Sequence, residues 1–216
     1  MKKLIASLVL VPVFLVGMPT TRLMSEKCES DAELVQSFKP EKFDLEKELT
    51  HSETENYEKV IDFIKAHEGY AGGKEYTCVS GRRTIGYGHV IKKGEVFAEK
   101  ISKEFADSLL RADFNAAYNL TCKYTPQLKG SRKLAVAHFI YSKGISAFLT
   151  SSLRKAIKRN AKVDNEFSKW CYYTDYQTGK KIYSKVGARI QKWENNMWHT
   201  DDDLYAKAQQ QEKRKF

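Results

Sequence analysis

Ala66-His67-Glu68-Gly69-Tyr70 ends a helical pattern, and Cys78-Val79-Ser80-Gly81-Arg82-Arg83-Thr84-Ile85-Gly86-Tyr87-Gly88-His89 follows one short loop later. Upstream, Tyr57, Ile61, Ile64 and Glu68 fall at i, i+4, i+7 and i+11, which is one face of an α-helix. That face is otherwise apolar, so it is predicted to turn toward a core. A carboxylate at its end is then partly desolvated, which raises its pKa and suits it to donate a proton near neutral pH. The competing reading is a helix C-terminal glutamate that reaches back to solvent just before Gly69.

The run from Ser80 to His89 reads as a tight turn feeding a glycine-punctuated strand. Ser80-Gly81 supplies the turn, and the β-branched Thr84 and Ile85 favour extended backbone. Period-2 alternation predicts Arg82, Thr84, Gly86 and Gly88 on one face, with Arg83, Ile85 and Tyr87 on the other. Two glycines leave the Thr84 face bare, as expected where a second backbone or a ligand comes close. The plain alternative is an ordinary hairpin with packing glycines. A dinucleotide fingerprint is excluded, because no helix-opening G-x-x-G completes the pattern.

Taken together, Glu68-Gly69, eight residues, then Cys78-x-x-Gly81-x-x-Thr84-Ile85-Gly86-Tyr87-Gly88-His89 resembles the signature of the phage-type lysozymes, the endolysin family of glycoside hydrolases. The stretch from Ile101 to Asp113 looks like the family helix after the hairpin, and Phe139 to Leu153 like a later family segment. Trp170 and the stretch from Val186 to Trp198 are loosely similar to its closing helices. The resemblance implies an α+β, mainly α, lysozyme-like fold. A small lobe carries the Glu68 helix and a β-hairpin, a larger lobe is helical, and a substrate cleft lies between them. It also implies hydrolysis of the β-1,4 bond between N-acetylmuramic acid and N-acetylglucosamine in peptidoglycan. In that family the residue at Glu68 is the general acid, the residue at Thr84 orients a water, and an Asp usually stands at the position of Cys78. His89, Tyr141 and Ser151 would line the saccharide groove.

Cys78 departs from the family's commonest residue. Glycoside cleavage needs a proton for the leaving oxygen and a negative group that activates water or steadies an oxocarbenium-like transition state. A thiol is mostly neutral at pH 7 unless its pKa is lowered. Three readings stay open. Cys78 replaces the carboxylate as base or nucleophile, it is a bystander, or it marks a protein that binds glycan with weakened catalysis. A further possibility is an adaptor role for the acidic segment, independent of catalysis.

Charge divides the chain. Residues 25–58 hold eleven acids and four bases, a net of −7; the whole chain is +10 and the first 24 residues carry three bases, which leaves +14 from Lys59 onward. The expected organisation is a signal peptide or signal-anchor over 1–24, an acidic polar linker over 25–55, the lysozyme-like domain over 56–200 and a polar tail over 201–216. The uncharged run from Leu4 to Met18 is short for a membrane span and suits an export signal, so membrane contact is expected only through an uncleaved N-terminus. A basic domain suits an anionic polymer. Peptidoglycan fits that description, and no nucleic-acid-binding motif supports the other obvious polyanion. Cys28, Cys78, Cys122 and Cys171 show no C-x-x-C spacing and the five histidines no ligand spacing, so no metal and no cofactor is expected. A Cys122–Cys171 bridge is one possible pairing in an exported chain. A monomer is expected.

The remainder reads as helical. Phe105, Leu109 and Ala112 form one stripe of a helix from Lys103. Ser131 to Tyr141 reads as a covered helix ended by Gly144, Ser151 and Ser152 can cap the next one, and the polar tail from Asp201 is expected to fray.

Overall fold

The computed structural model describes residues 49–78, 81–175 and 178–213; the predicted signal segment, Cys28 and the acidic linker up to residue 48 lie outside them. The order of elements is α1 (His51–Glu68), β1 (Tyr76–Thr77), β2 (Arg83–Ile85), β3 (His89–Val90), α2 (Lys103–Tyr124), α3 (Gly130–Lys143), α4 (Ile145–Thr150) and α5 (Ser152–Lys158). A 3₁₀ turn (Phe167–Trp170), β4 (Tyr172–Thr174), β5 (Lys181–Tyr183) and α6 (Lys185–Lys213) complete it. None of the described helices is long and apolar enough to cross a membrane. The described residues fall into two compact units: Ile61–Asp113, and a second formed by residues 49–60 together with those from Phe114 onward.

In the first unit, Ile61 and Ile64 are buried on the predicted face of α1, and the helix stops at Gly69, whose φ of 71° only glycine adopts freely. β1, β2 and β3 form an antiparallel sheet in that order, with Tyr76 opposite Thr84 and Ile85 opposite His89. The predicted alternation through Gly88 fails. Thr84, Ile85, Gly86 and Tyr87 are all buried, because the strand ends at Ile85 and Gly86 and Gly88 turn the chain at φ 66° and 100°. The glycines serve close approach, as expected, but at a turn. A Cβ on Gly86 would stand 2.8 Å from that of Ala106 on α2. The stripe of α2 is also rotated from the expected one: Ala106, Leu109 and Leu110 are buried in this unit, while Phe105 and Ala112 are only partly covered.

Gly86→Ala therefore combines a left-handed alanine with a steric collision. It is expected to cost about 2–4 kcal/mol, or roughly 5–15 °C in melting temperature for a chain of this size. Thermal denaturation followed by circular dichroism checks this, and an unchanged midpoint would mean that α2 does not press on the turn.

In the second unit, the buried side of α3 from Leu134 to Ile140 forms the core. Phe139 meets Phe148, Phe167 and Trp170 edge-on. Glu194 of α6 is fully buried, bonded to His138 Nδ1 at 2.7 Å. The Gln191 amide, oriented with its nitrogen inward, donates to Glu194 Oε2 and to the Phe167 carbonyl. A buried carboxylate is stable there because each oxygen has a partner.

The N-terminus of α3 lacks a local cap and takes two remote ones. Glu53 Oε1 accepts from Gly130 N–H at 3.1 Å and Asp201 Oδ2 from Ser131 N–H at 2.8 Å. Both place negative charge where a helix favours it. This corrects the expectation that the chain frays from Asp201. Asp201 and Asp202, the latter paired with Arg132, anchor α6, which continues to Lys213. The β4–β5 hairpin, with Tyr172 opposite Tyr183, interrupts the part of the chain that read as generally helical. The Cys171 thiol donates to the Ser168 carbonyl at 2.9 Å, so the possible bridge between Cys122 and Cys171 is not formed.

Candidate active site

The first unit contains Glu68, Cys78, Thr84 and His89. Glu68 is the last residue of α1 and is half-buried. Its Oε2 lies 4.0 Å from where a Cβ on Gly88 would stand, so the carboxyl sits over the bare glycine turn. The turn is open because Gly88 has no side chain, and its φ of 100° keeps other residues out.

One backbone carbonyl ties the other two candidates together. The Arg82 carbonyl accepts the Cys78 N–H at 2.9 Å and the Thr84 hydroxyl at 3.0 Å. Thr84 is almost wholly buried, and with its proton committed to that carbonyl its oxygen offers only lone pairs to a ligand. Cys78 is half-buried. Arg83 turns outward, paired with Glu75 across the hairpin at 2.7 Å, so this guanidinium is not directed at the thiol.

His89 is 4% exposed, its Nδ1 2.7 Å from Asp113 Oδ2 and its Nε2 3.1 Å from Glu95 Oε2. Burial alone would lower its pKa, but the two carboxylates outweigh burial and raise it. Glu95 is held below its usual range: burial pushes it up, and the Lys92 N–H and the His89 ring prevail. Both ring nitrogens are thus engaged by carboxylates that fasten the hairpin to the loop after it and to α2.

Tyr141 and Ser151 belong to the second unit. Tyr141 packs its ring against Phe114 and His138. The Ser151 hydroxyl donates to the Phe148 carbonyl and accepts from Arg154 N–H, which makes it the cap of α5 that the sequence suggested. Sequence reasoning did not single out Tyr76, which stands opposite Thr84 in the sheet. Its signal was present, since it lies two residues before Cys78 on the same strand period.

The described fold, mainly helical with small antiparallel sheets, is lysozyme-like. The phage lysozyme family model matches residues 65–192, more than half of the chain, and the protein belongs to that family. An endolysin of Acyrthosiphon pisum secondary endosymbiont phage 1 is 32% identical over 118 residues, which cover 52% of this chain and 77% of that endolysin. The solved endolysin from Escherichia coli O157:H7 phage FAHEc1 is similar with a TM-score of 0.56 at 26% identity, over 65% of this chain and 90% of its own. The active form of P1 phage endolysin Lyz, 11% identical, shares the fold with a TM-score of 0.53 over 82% of this chain and 97% of its own.

Proposed function

We propose that the protein is a muramidase that hydrolyses the β-1,4 bond between N-acetylmuramic acid and N-acetylglucosamine, with Glu68 as general acid. Membership of the phage lysozyme family supports peptidoglycan hydrolysis in general. The observation that carries the finer reading is the carboxyl of Glu68 set over Gly88, in the unit where the Arg82 carbonyl joins Cys78 to Thr84.

The steps follow from what each group can do. Glu68 protonates the glycosidic oxygen, so the leaving sugar departs as a neutral alcohol. Thr84, already donating to Arg82, accepts a hydrogen bond from a water and so aims that water's lone pair at the anomeric carbon. Cys78, as thiolate, takes the proton the water loses and balances the positive charge that develops on the sugar. Attack by water across from the departing group inverts the anomeric centre. The apolar N-terminal segment is the export signal or anchor that brings this chemistry to the cell wall. The strong positive charge after Lys59 draws the domain to an anionic wall polymer.

Replacement at position 78 tests the assignment. Cys78→Asp is expected to retain activity, because a carboxylate serves as base, whereas Cys78→Ser loses about 10²-fold, since a hydroxyl ionises far above neutral pH. Reducing-end release from purified peptidoglycan reads both. Equal rates for wild type and Cys78→Ser would make the thiol a bystander.

A further inference from the structure

Tyr76 and Thr84 are directly opposed in the antiparallel pair of β1 and β2, so their side chains share one face of the sheet. Cys78 lies two residues beyond Tyr76, and its N–H continues the pairing to Arg82, so it falls on that same face. The phenol feels the charges of Cys78 and of Glu68 in addition to its partial burial. Burial is the larger cause and the two charges add to it, so the hydroxyl is held protonated well into the alkaline range. Tyr76 is therefore a protonated donor on the sheet face that carries Thr84 and Cys78.

Tyr70, equally exposed, pairs its ring with that of Tyr87, whereas the Tyr76 ring has no aromatic partner among the described residues. Tyr57 donates to Asn115 at 2.8 Å and meets Phe114 edge-on, and Tyr87 is buried beside Tyr70. Tyr76 is 36% exposed, and its hydroxyl has no hydrogen-bond partner among the described residues. A short two-residue strand gains little from an exposed aromatic ring there, whereas a saccharide has both complements to it: apolar C–H faces for the ring and oxygens for the donor.

We propose that Tyr76 is a substrate-positioning residue that determines specificity: its ring packs against a sugar next to the scissile bond, and its hydroxyl donates to an oxygen of that sugar. The assignment rests on the muramidase reading for the identity of the saccharide. It concerns binding, so it can be measured apart from cleavage. The contact holds ground state and transition state alike, and discrimination follows because a sugar lacking that oxygen cannot accept the hydrogen bond.

The test uses Glu68→Gln protein, which holds substrate without turning it over, titrated with a peptidoglycan tetrasaccharide of alternating N-acetylglucosamine and N-acetylmuramic acid and followed by NMR. Adding Tyr76→Phe should weaken binding about fivefold, the worth of one neutral hydrogen bond. Adding Tyr76→Ala should weaken it roughly 30-fold, through loss of the ring contact as well. In the active form, Tyr76→Phe should raise KM by the same factor with kcat changed less than about twofold. Tyr76→Phe keeps the ring, so its melting temperature should match the parent's and serve as the folding control. Unchanged affinity in both variants overturns the assignment, as does a lowered melting temperature with unchanged KM, which marks a structural role. Failure of the parent to bind the tetrasaccharide also overturns it. If the parent binds and the variants weaken binding but the wild type cleaves nothing, Tyr76 stands and the muramidase reading falls.

Discussion

Glu68→Gln should lower reducing-end release about 10³-fold while leaving the protein as stable as before or more so. Both halves follow from the position of Glu68 at the last residue of α1. The C-terminus of a helix carries partial negative charge, so a carboxylate there is unfavourable by about 0.3–1 kcal/mol, offset in part by the basic Lys65 and His67 of the same turn. Lys65 is itself paired with Asp107, which leaves less of its charge for Glu68. A carboxylate that the helix dipole opposes does not serve the helix's own stability, and glutamine removes the proton while keeping the shape. The paired measurement is reducing-end release and thermal melting on one preparation. Activity within about tenfold of wild type would show that the proton comes from elsewhere. Lost activity with a lowered melting temperature would show Glu68 to be structural.

The second large effect is on stability. His89→Gln should destabilise the fold by about 3 kcal/mol at pH 5.5, because it leaves two partly buried carboxylates without their shared cation. The sign of its pH dependence is fixed by the raised pKa of His89. A histidine that binds its proton more tightly when folded stabilises the fold most below its unfolded pKa of about 6.5. That contribution is lost as pH rises through the folded value. The penalty for His89→Gln should therefore be largest near pH 5.5 and shrink steadily toward pH 9. Urea denaturation of both proteins across that range measures it. A penalty that is flat, or that grows with pH, would mean that His89 is not charged in the folded state.

What could be read from the sequence was what short-range periodicity encodes. The face of α1, its stop at Gly69, the end of α3 at Gly144 and the cap at Ser151 each depend on residues within a few positions of one another. The hairpin was legible as a hairpin. Its alternation was misjudged because Gly86 and Gly88, read as strand residues, turn the chain at positive φ, and at Gly86 the approach of Ala106 adds a second requirement for glycine. The partners of His89 lie 6 and 24 residues away and the caps of α3 lie 77 and 70 away, separations at which no local pattern operates. The β4–β5 hairpin did carry a signal, aromatic runs around Thr178-Gly179, that a helical expectation overrode. The site behaves the same way: Glu68, Cys78 and Thr84 stood out as a spacing, but the Arg82 carbonyl that links two of them is a backbone atom and invisible to sequence.

The measurement closest to the central claim is the identity of the sugar left at the new chain end. Purified peptidoglycan is digested with the protein, reduced with borohydride, and its products are analysed by mass spectrometry. A muramidase that uses water, as proposed, leaves reduced N-acetylmuramic acid at every new end, and Glu68→Gln abolishes these products. Reduced N-acetylglucosamine ends, non-reducible anhydro ends, or no new ends from a protein that still binds the polymer would each contradict it.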